Sequence, residues 1–269
     1  MPTYLGNQEY YDIRIGTQRI NDVLQAKPSI NIEYLVVAAG GTGANGNSSP
    51  SRGGGAGGAG GLLSGSATIL PGENYYIQVA GFTTISDNGD SYLTGSNFYF
   101  YSFQGGAGGG ASSNGGAGGS GGGAGAGALR TGGTGTAGQG NNGGNNTVSV
   151  AGSGGGANSA ASGDTPGTGK ASSISGASVT YSTGGTATTG APSGTAETGN
   201  GGNGGQFIGS TTGRVGGNGI VYIRYRGPQA FSGGTITTDG DFTVHKFNTT
   251  ADLGNGAGSA KTNYTIVYQ

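Results

Sequence analysis

The chain has no cysteine, a single histidine and few charges of either sign. Without cysteine there is neither a disulfide nor a thiolate metal site, and one histidine with no cysteine beside it cannot build a zinc centre. Charged residues are 9% of the 269, against roughly 25% in an ordinary soluble domain. The 11 basic residues are scattered, with only Arg224 and Arg226 close together, and the formal net charge is −1. Nucleic acid is therefore not an expected partner, because neutralising phosphates needs clustered Lys and Arg. No apolar run approaches the length of a transmembrane helix, so no membrane span is expected. The opening residues, MPTYLGNQEYYDIR, carry neither a basic n-region nor an apolar h-region, and no secretory signal is expected there.

What is present in excess is glycine, 68 residues in all, when average usage is about 7%. Such a composition usually signals disorder, but disorder is normally sustained by charge, which this chain lacks. A neutral glycine-rich polymer either aggregates through its exposed amides or satisfies them internally.

Charge divides the chain into zones. Residues 1–37 hold 7 charged residues and 207–269 hold 8, leaving 8 for everything between. Three units are expected: an N-terminal β-module (1–28), a glycine-rich domain (29–227), and a C-terminal hairpin with a terminal strand (228–269). In the first, Tyr11, Ile13 and Ile15 alternate with Asp12 and Arg14 before a turn at 16–18 leads to Ile20 and Val23, the period of a strand-turn-strand element. A piece this short cannot bury its own apolar face and is expected to dock on a partner. Further strands are predicted at 32–38, 74–80, 97–103, 177–181 and 219–226 from their β-branched and aromatic content. Asp239-Gly240 between 235–238 and 241–247 predicts a tight hairpin turn. A last strand at 264–268 has no evident partner and suits pairing with a neighbouring chain.

The glycine tracts have a phase. In GGGAGGAGG (53–61) Ala56 and Ala59 are three apart; in GGAGGSGGG (115–123) so are Ala117 and Ser120; in GNGGNGG (199–205) so are Asn200 and Asn203. Three residues per turn is the period of the extended left-handed polyproline II helix. Such a helix would carry its side chains on one face and leave two faces bare, close enough to neighbours for backbone groups to pair. The competing reading is a set of flexible loops on a small β-domain. With only 7 prolines and no sustained G-X-Y, collagen is excluded. The predicted class is mainly β with packed polyglycine II helices and no α-helical domain.

Sites for chemistry are scarce. Gly41 to Gly46 form a GxGxxG after a predicted strand, but no helix-forming sequence follows to hold a pyrophosphate. Asp87-Asn88-Gly89-Asp90 reads as a turn rather than a calcium loop. His245 reads as a solvent-facing strand residue. No enzymatic activity, metal or cofactor is expected. In 97–103 the alternation puts Phe98 and Phe100 on one face, Tyr99 and Tyr101 on the other. One face is expected in the core; Tyr92, Tyr99 and Tyr101 are the candidate contacts for a sugar or another subunit.

IEYLVVAAGGTGANG (32–46), GGGAGGAGGLLSGSATILPGENYYIQVAG (53–81) and GGNGIVYIRYR (216–226) together resemble the glycine-rich domain common in phage tail proteins, especially of marine and cyanobacterial phages. GGTITTDGDFTVHKFNTTADL (233–253) resembles the hairpin that often accompanies it, and 5–24 resembles the short strand repeats that open tail and fibre proteins. A more distant resemblance is to the tail-fibre tip adhesins of T-even-type phages. It implies packed polyglycine II helices whose joining loops carry specificity. The resemblance implies a virion component, a tail fibre or baseplate-associated fibre acting in host attachment, assembled in the host cytoplasm and released by lysis. Its partners would be other tail proteins, further copies of itself and a host-surface glycan or protein. Tyr11, Ile13, Ile15, Ile20 and Val23 would dock it to the particle. The alternatives are a decoration protein with no receptor role and, in a different class, an ice-binding glycine-helix bundle.

Overall fold

The computed structural model describes residues 3–5, 8–10, 14–15, 18–19, 27–47, 53–81, 89–187, 194–206, 212–249 and 261–268. Strands and no helix are found among them, so the chain is mainly β. Near the N-terminus, β1 (Thr3–Leu5) pairs with β2 (Gln8–Tyr10), and β3 (Arg14–Ile15) pairs with β4 (Gln18–Arg19). Tyr11, Ile13, Ile20 and Val23 lie outside the described residues, and Ile15 is placed only as the partner of Gln18 in the β3–β4 pair.

Two antiparallel sheets form the body. β5 (Ile30–Val37) and β12 (Ile220–Arg226) are the apolar runs of the sequence, and they pair at the middle of a five-stranded sheet. It is completed by β6 (Leu62–Ile69) beside β5, and by the hairpin β13 (Thr235–Asp239) and β14 (Phe242–Phe247) beside β12. Gly240 turns that hairpin with φ +57°, a conformation glycine adopts without a steric penalty. The second sheet runs β15 (Thr262–Val267), β7 (Asn74–Val79), β8 (Ser91–Thr94), β9 (Tyr99–Ser102). The sheets pack face to face over Ile32, Tyr34, Val36, Ile77, Val79, Leu93, Val221, Ile223 and Ile266. Leu35, Val37, Ile220 and Tyr222 point the other way, onto Ile174 and Tyr181 carried by the segment that includes β10 (Lys170–Ser172) and β11 (Val179–Tyr181). Burial on both faces is why 34–37 of β5 and 220–223 of β12 read as continuous apolar runs, whereas the rest of each strand alternates.

The terminal strand expected to seek another chain is paired within this one: all of β15 is in register with β7, from Thr262↔Val79 to Val267↔Asn74. Residues 228–269 thus contribute strands to both sheets. His245 also departs from expectation, being fully buried. Its Nδ1 donates to the Gly233 carbonyl at 2.9 Å, its Nε2 accepts from the Tyr225 hydroxyl at 3.0 Å, and its ring stacks on Phe231. Burial pushes its pKa down, against a partial upward pull from the Gly233 carbonyl.

Beyond the sheets the strands do not end; their pairing changes period. The β5–β6 ladder continues as N–H donors Ala38, Gly41 and Ala44 to carbonyls Gly61, Gly58 and Gly55. That is one bond every three residues. Segment 53–61, fully buried though it holds only glycine and alanine, sits at the centre of the lattice this creates. Its N–H groups at 54, 57 and 60 reach Gly205, Gly202 and Gly199; those at 55, 58 and 61 reach Gly109, Gly106 and Phe103; those at 56 and 59 reach Gly152 and Gly155. Its carbonyls accept from 38–44, from 120–126 and from Gly185. Six segments therefore surround it, and its eight donors, 54–61, are all bonded to backbone carbonyls at 2.8–3.1 Å without help from side chains.

The same spacing decides where side chains are admitted. A Cβ on Gly54, Gly57 or Gly60 would lie 2.0–2.1 Å from a carbonyl oxygen of 38–44, and one on Gly55 or Gly58 would lie 2.1 Å from an oxygen of 120–123. The third face holds Ala56 and Ala59, and Ala56 packs with Ala126, Ala151 and Ala187. One tract differs from its sequence reading. Segment 115–123 is not continuous: Gly122 N–H donates to Gly116 and Gly125 to Ser113, so the chain reverses about Gly119–Ser120. Lattice edges are closed by amide side chains that imitate a backbone acceptor. Asn200 and Asn203 Oδ1 accept from Thr183 and Thr186 N–H, again three apart on both segments.

Candidate functional site

The outer face of the second sheet carries aromatic residues because strand parity sends every other side chain away from the core. Phe98, just before β9, and Phe100 on it pack inward against the core while Tyr99 and Tyr101 face out. Tyr92 lies directly across from Tyr101, and Thr94 from Tyr99; one strand further, Gln78 and Tyr76 continue those two rows. The rings are ordered. Tyr92 stacks on Tyr101 with centroids 6.1 Å apart, Tyr99 on Tyr101 at 5.7 Å, and Phe103 meets Tyr101 edge-on at 5.2 Å. Tyr99 is 64% exposed and Tyr76 49%. The structure thus brings all three sequence-predicted tyrosines, Tyr92, Tyr99 and Tyr101, onto one face.

Asp90 anchors this face. It is buried, its Oδ2 accepts from the Tyr101 hydroxyl at 2.6 Å, and its Oδ1 accepts from Gln104 N–H at 2.6 Å. Burial and the carboxylate beside it push the Tyr101 phenol well above its ordinary range, so it stays a neutral donor. Sequence reasoning had placed Asp90 in a turn and left Gln104, Phe103 and Tyr76 unmarked. For Tyr76 the parity of NYYIQV was a usable signal; for Asp90 and Gln104 there was none, since they meet only through the strand order.

Where β9 runs into the lattice, a groove of about 800 Å³ opens between the tyrosine face and the glycine segments. Gly41, Gly105, Gly106 and Gly118 line it, and a Cβ on any of them would sit 2.0–2.3 Å from backbone of an adjacent segment. This wall is therefore fixed backbone. Gly41–Gly46, the GxGxxG of the sequence, lies in a lattice segment and opens no helix. The outer edge of β9 is closed by Gln139, whose Oε1 accepts from Phe103 N–H at 2.9 Å and whose Nε2 donates to the Tyr101 carbonyl at 2.8 Å.

A second exposed feature lies at the lattice end away from the sheets. Loops at 110–113, 126–131 and 146–151 adjoin there through Ser112 N–H to Ala126 O, Gly127 N–H to Val148 O and Asn146 N–H to Arg130 O. They expose Leu129, Val148 and Val150. Among the described residues no three His, Cys, Asp or Glu side chains gather as metal ligands, and no helix is long and apolar enough to cross a membrane.

A β-sandwich whose strands run on into a hydrogen-bonded glycine lattice defines a scaffold class, with exposed aromatic and apolar side chains at its side and its tip. The glycine-rich domain family model matches residues 23–226, and the chain belongs to that family. No curated protein and no solved structure matches it significantly.

Proposed function

We propose that this chain is a structural protein of a phage tail, a fibre or baseplate-associated fibre that attaches the particle to its host. The single observation that carries the reading is segment 53–61 with its six bonded neighbours. Three-residue registration, bare faces and neighbours on all sides are what polyglycine II helices require, and we assign the tracts to that form. A nine-residue helix of this kind is about 28 Å long. It has no side-chain rotamers to freeze, so the lattice is a stiff support for the loops at its end. Those loops expose apolar side chains at Leu129 and Val148, an arrangement suited to contact at a surface.

The test is made on particles that encode the chain. Mass spectrometry and antibody labelling are expected to find it on the tail, and the purified chain is expected to compete with particles for host adsorption. Absence from purified particles would overturn the reading. Presence without competition would leave a decoration protein with no receptor role.

A further inference from the structure

We propose that the groove beside Tyr99 binds a neutral oligosaccharide, whose sugar rings stack on the Tyr99 face and whose hydroxyls bond the polar groups around it. This deepens the attachment reading by naming a ligand class for the tyrosine face, and rests on that reading only for what the binding is for.

The groove's volume, about 800 Å³, lies within the usual range of small-molecule sites, about 300–1,000 Å³. Its chemistry then narrows the occupant. A pyranose has one face of C–H groups and a rim of hydroxyls, so it needs a broad exposed ring with hydrogen-bonding groups at its edge. Tyr99 supplies the ring, held against Tyr101. Asp90, Gln104, Thr42 and Thr136 supply polar groups along the same lining.

Other occupants fit worse. Among the described residues no Lys or Arg lines the groove and Asp90 does, so a phosphate, a nucleic acid or an acidic sugar would meet a carboxylate with no cation beside it. An extended peptide would bind by adding a strand to the free edge of β9, but the Gln139 amide already occupies the backbone groups of Tyr101 and Phe103 there. A peptide anchored by aliphatic side chains would need aliphatic partners, and among the described residues alanines are the only aliphatic side chains lining the groove. The glycine wall adds preorganisation: it has no side chains to reorder when a ligand arrives.

The purified full chain is titrated with maltohexaose, cellohexaose, mannohexaose and hexagalacturonate, read by calorimetry and by saturation-transfer NMR. At least one neutral hexasaccharide is expected to bind saturably, with hexagalacturonate weaker by about tenfold or more. Tyr99→Ala is expected to weaken the neutral ligand at least about tenfold and Tyr99→Phe to retain it. Because Tyr99 is 64% exposed, both variants are expected to melt like the parent. No saturable binding of any neutral hexasaccharide up to about 10 mM, equal binding of hexagalacturonate, or binding indifferent to Tyr99→Ala would each overturn the proposal. Because the readout is the isolated chain, it stands or falls separately from whether the chain is found in particles.

Discussion

Gly57→Ala and Gly53→Ala make the same chemical change in the same buried segment, and the lattice predicts opposite results. At position 57 the new methyl would lie 2.0 Å from the Gly41 oxygen and 2.5 Å from its carbon. Ordinary contact begins near 3.4 Å, so segments 38–44 and 53–61 must separate by more than 1 Å. The bonds joining them, Ala38 to Gly61 at 3.1 Å, Gly41 to Gly58 at 2.8 Å and Ala44 to Gly55 at 2.9 Å, do not survive that displacement. Each contributes about 0.5–1.5 kcal/mol net, and a buried group left unpaired costs about 1–3 kcal/mol. A loss of about 3–5 kcal/mol follows, a large share of the 5–15 kcal/mol typical of a folded domain. Position 53 is in phase with Ala56 and Ala59, and among the described residues its methyl would meet nothing closer than 3.5 Å. There alanine is neutral or stabilises by about 0.4–1 kcal/mol, through the unfolded chain. Urea unfolding followed by tyrosine fluorescence is practicable, since the chain has 14 tyrosines and no tryptophan. With a slope near 2 kcal/mol per molar urea, the midpoints are expected to differ by roughly 2 M. Equal midpoints, or a silent Gly57→Ala, would refute the phase argument on which the fold description rests.

Stability is also expected to fall with acid in two stages. His245 has a depressed folded pKa, so its contribution is complete above the unfolded value near 6.5 and is lost below it, at most about 1.4 kcal/mol per pH unit. For Glu197, burial raises the pKa but hydrogen bonds from Asn248 and Lys246 outweigh it. Its contribution is present above the ordinary carboxylate range and fades as pH falls through it. Urea midpoints measured from pH 8 to 4 check both, and His245→Phe is expected to remove the stage below 6.5. Asn203→Ala strips the acceptor from Thr186 N–H and is expected to cost about 1–3 kcal/mol, with faster amide exchange at Thr186 as its local signature. Gln139→Ala uncovers the edge of β9 and is expected to raise self-association by light scattering without abolishing the fold.

Much of this was legible because two periods carry the fold, and both are visible in the letters. Residues 30–37 and 220–226 read as strands because 34–37 and 220–223 are buried on both faces and are β-branched, aromatic or leucine, while the rest of each alternates. The phase of Ala56 and Ala59 was legible because the other two faces tolerate no Cβ. His245 was misread, although its parity with Phe247 should have placed it inward. The strands β6 and β8 were missed, since LLSGSATI and SYLT are small and polar with half their residues at an edge or outer face. At the candidate site, the shared face of Tyr99 and Tyr101 followed from alternation, while Asp90, Gln104 and Gln139 reach it by contacts that no local pattern encodes. Likewise nothing in 264–268 names β7 as its partner.

The scarcity of charge then has a structural cause rather than a functional one. A strand pair in the sandwich is stabilised by side chains and needs them large; a segment pair in the lattice is stabilised by backbone bonds and needs side chains absent. The change from one regime to the other occurs within a few residues, between Val37 and Gly40 on one segment and between Leu62 and Gly60 on its partner. Past that point an ionised side chain finds few faces on which to lie, and apart from Arg214, whose backbone bonds Gly43 and Asn203, those among the described lattice residues lie where a segment turns or meets an edge. Arg130 lies in a tip loop, Asp164 in a turn, and Lys170 where β10 leaves the lattice. At the edges, where an acceptor is still required, the chain uses asparagine and glutamine, which supply a carbonyl oxygen without a charge to desolvate. Replacing Asn200 by Asp keeps the acceptor for Thr183 N–H but brings a charge into that edge. It is therefore expected to destabilise more at pH 8 than at pH 4, the reverse of the trend set by His245 and Glu197. A pH-independent effect would mean that these edge positions are open to water and that charge is excluded for some other reason.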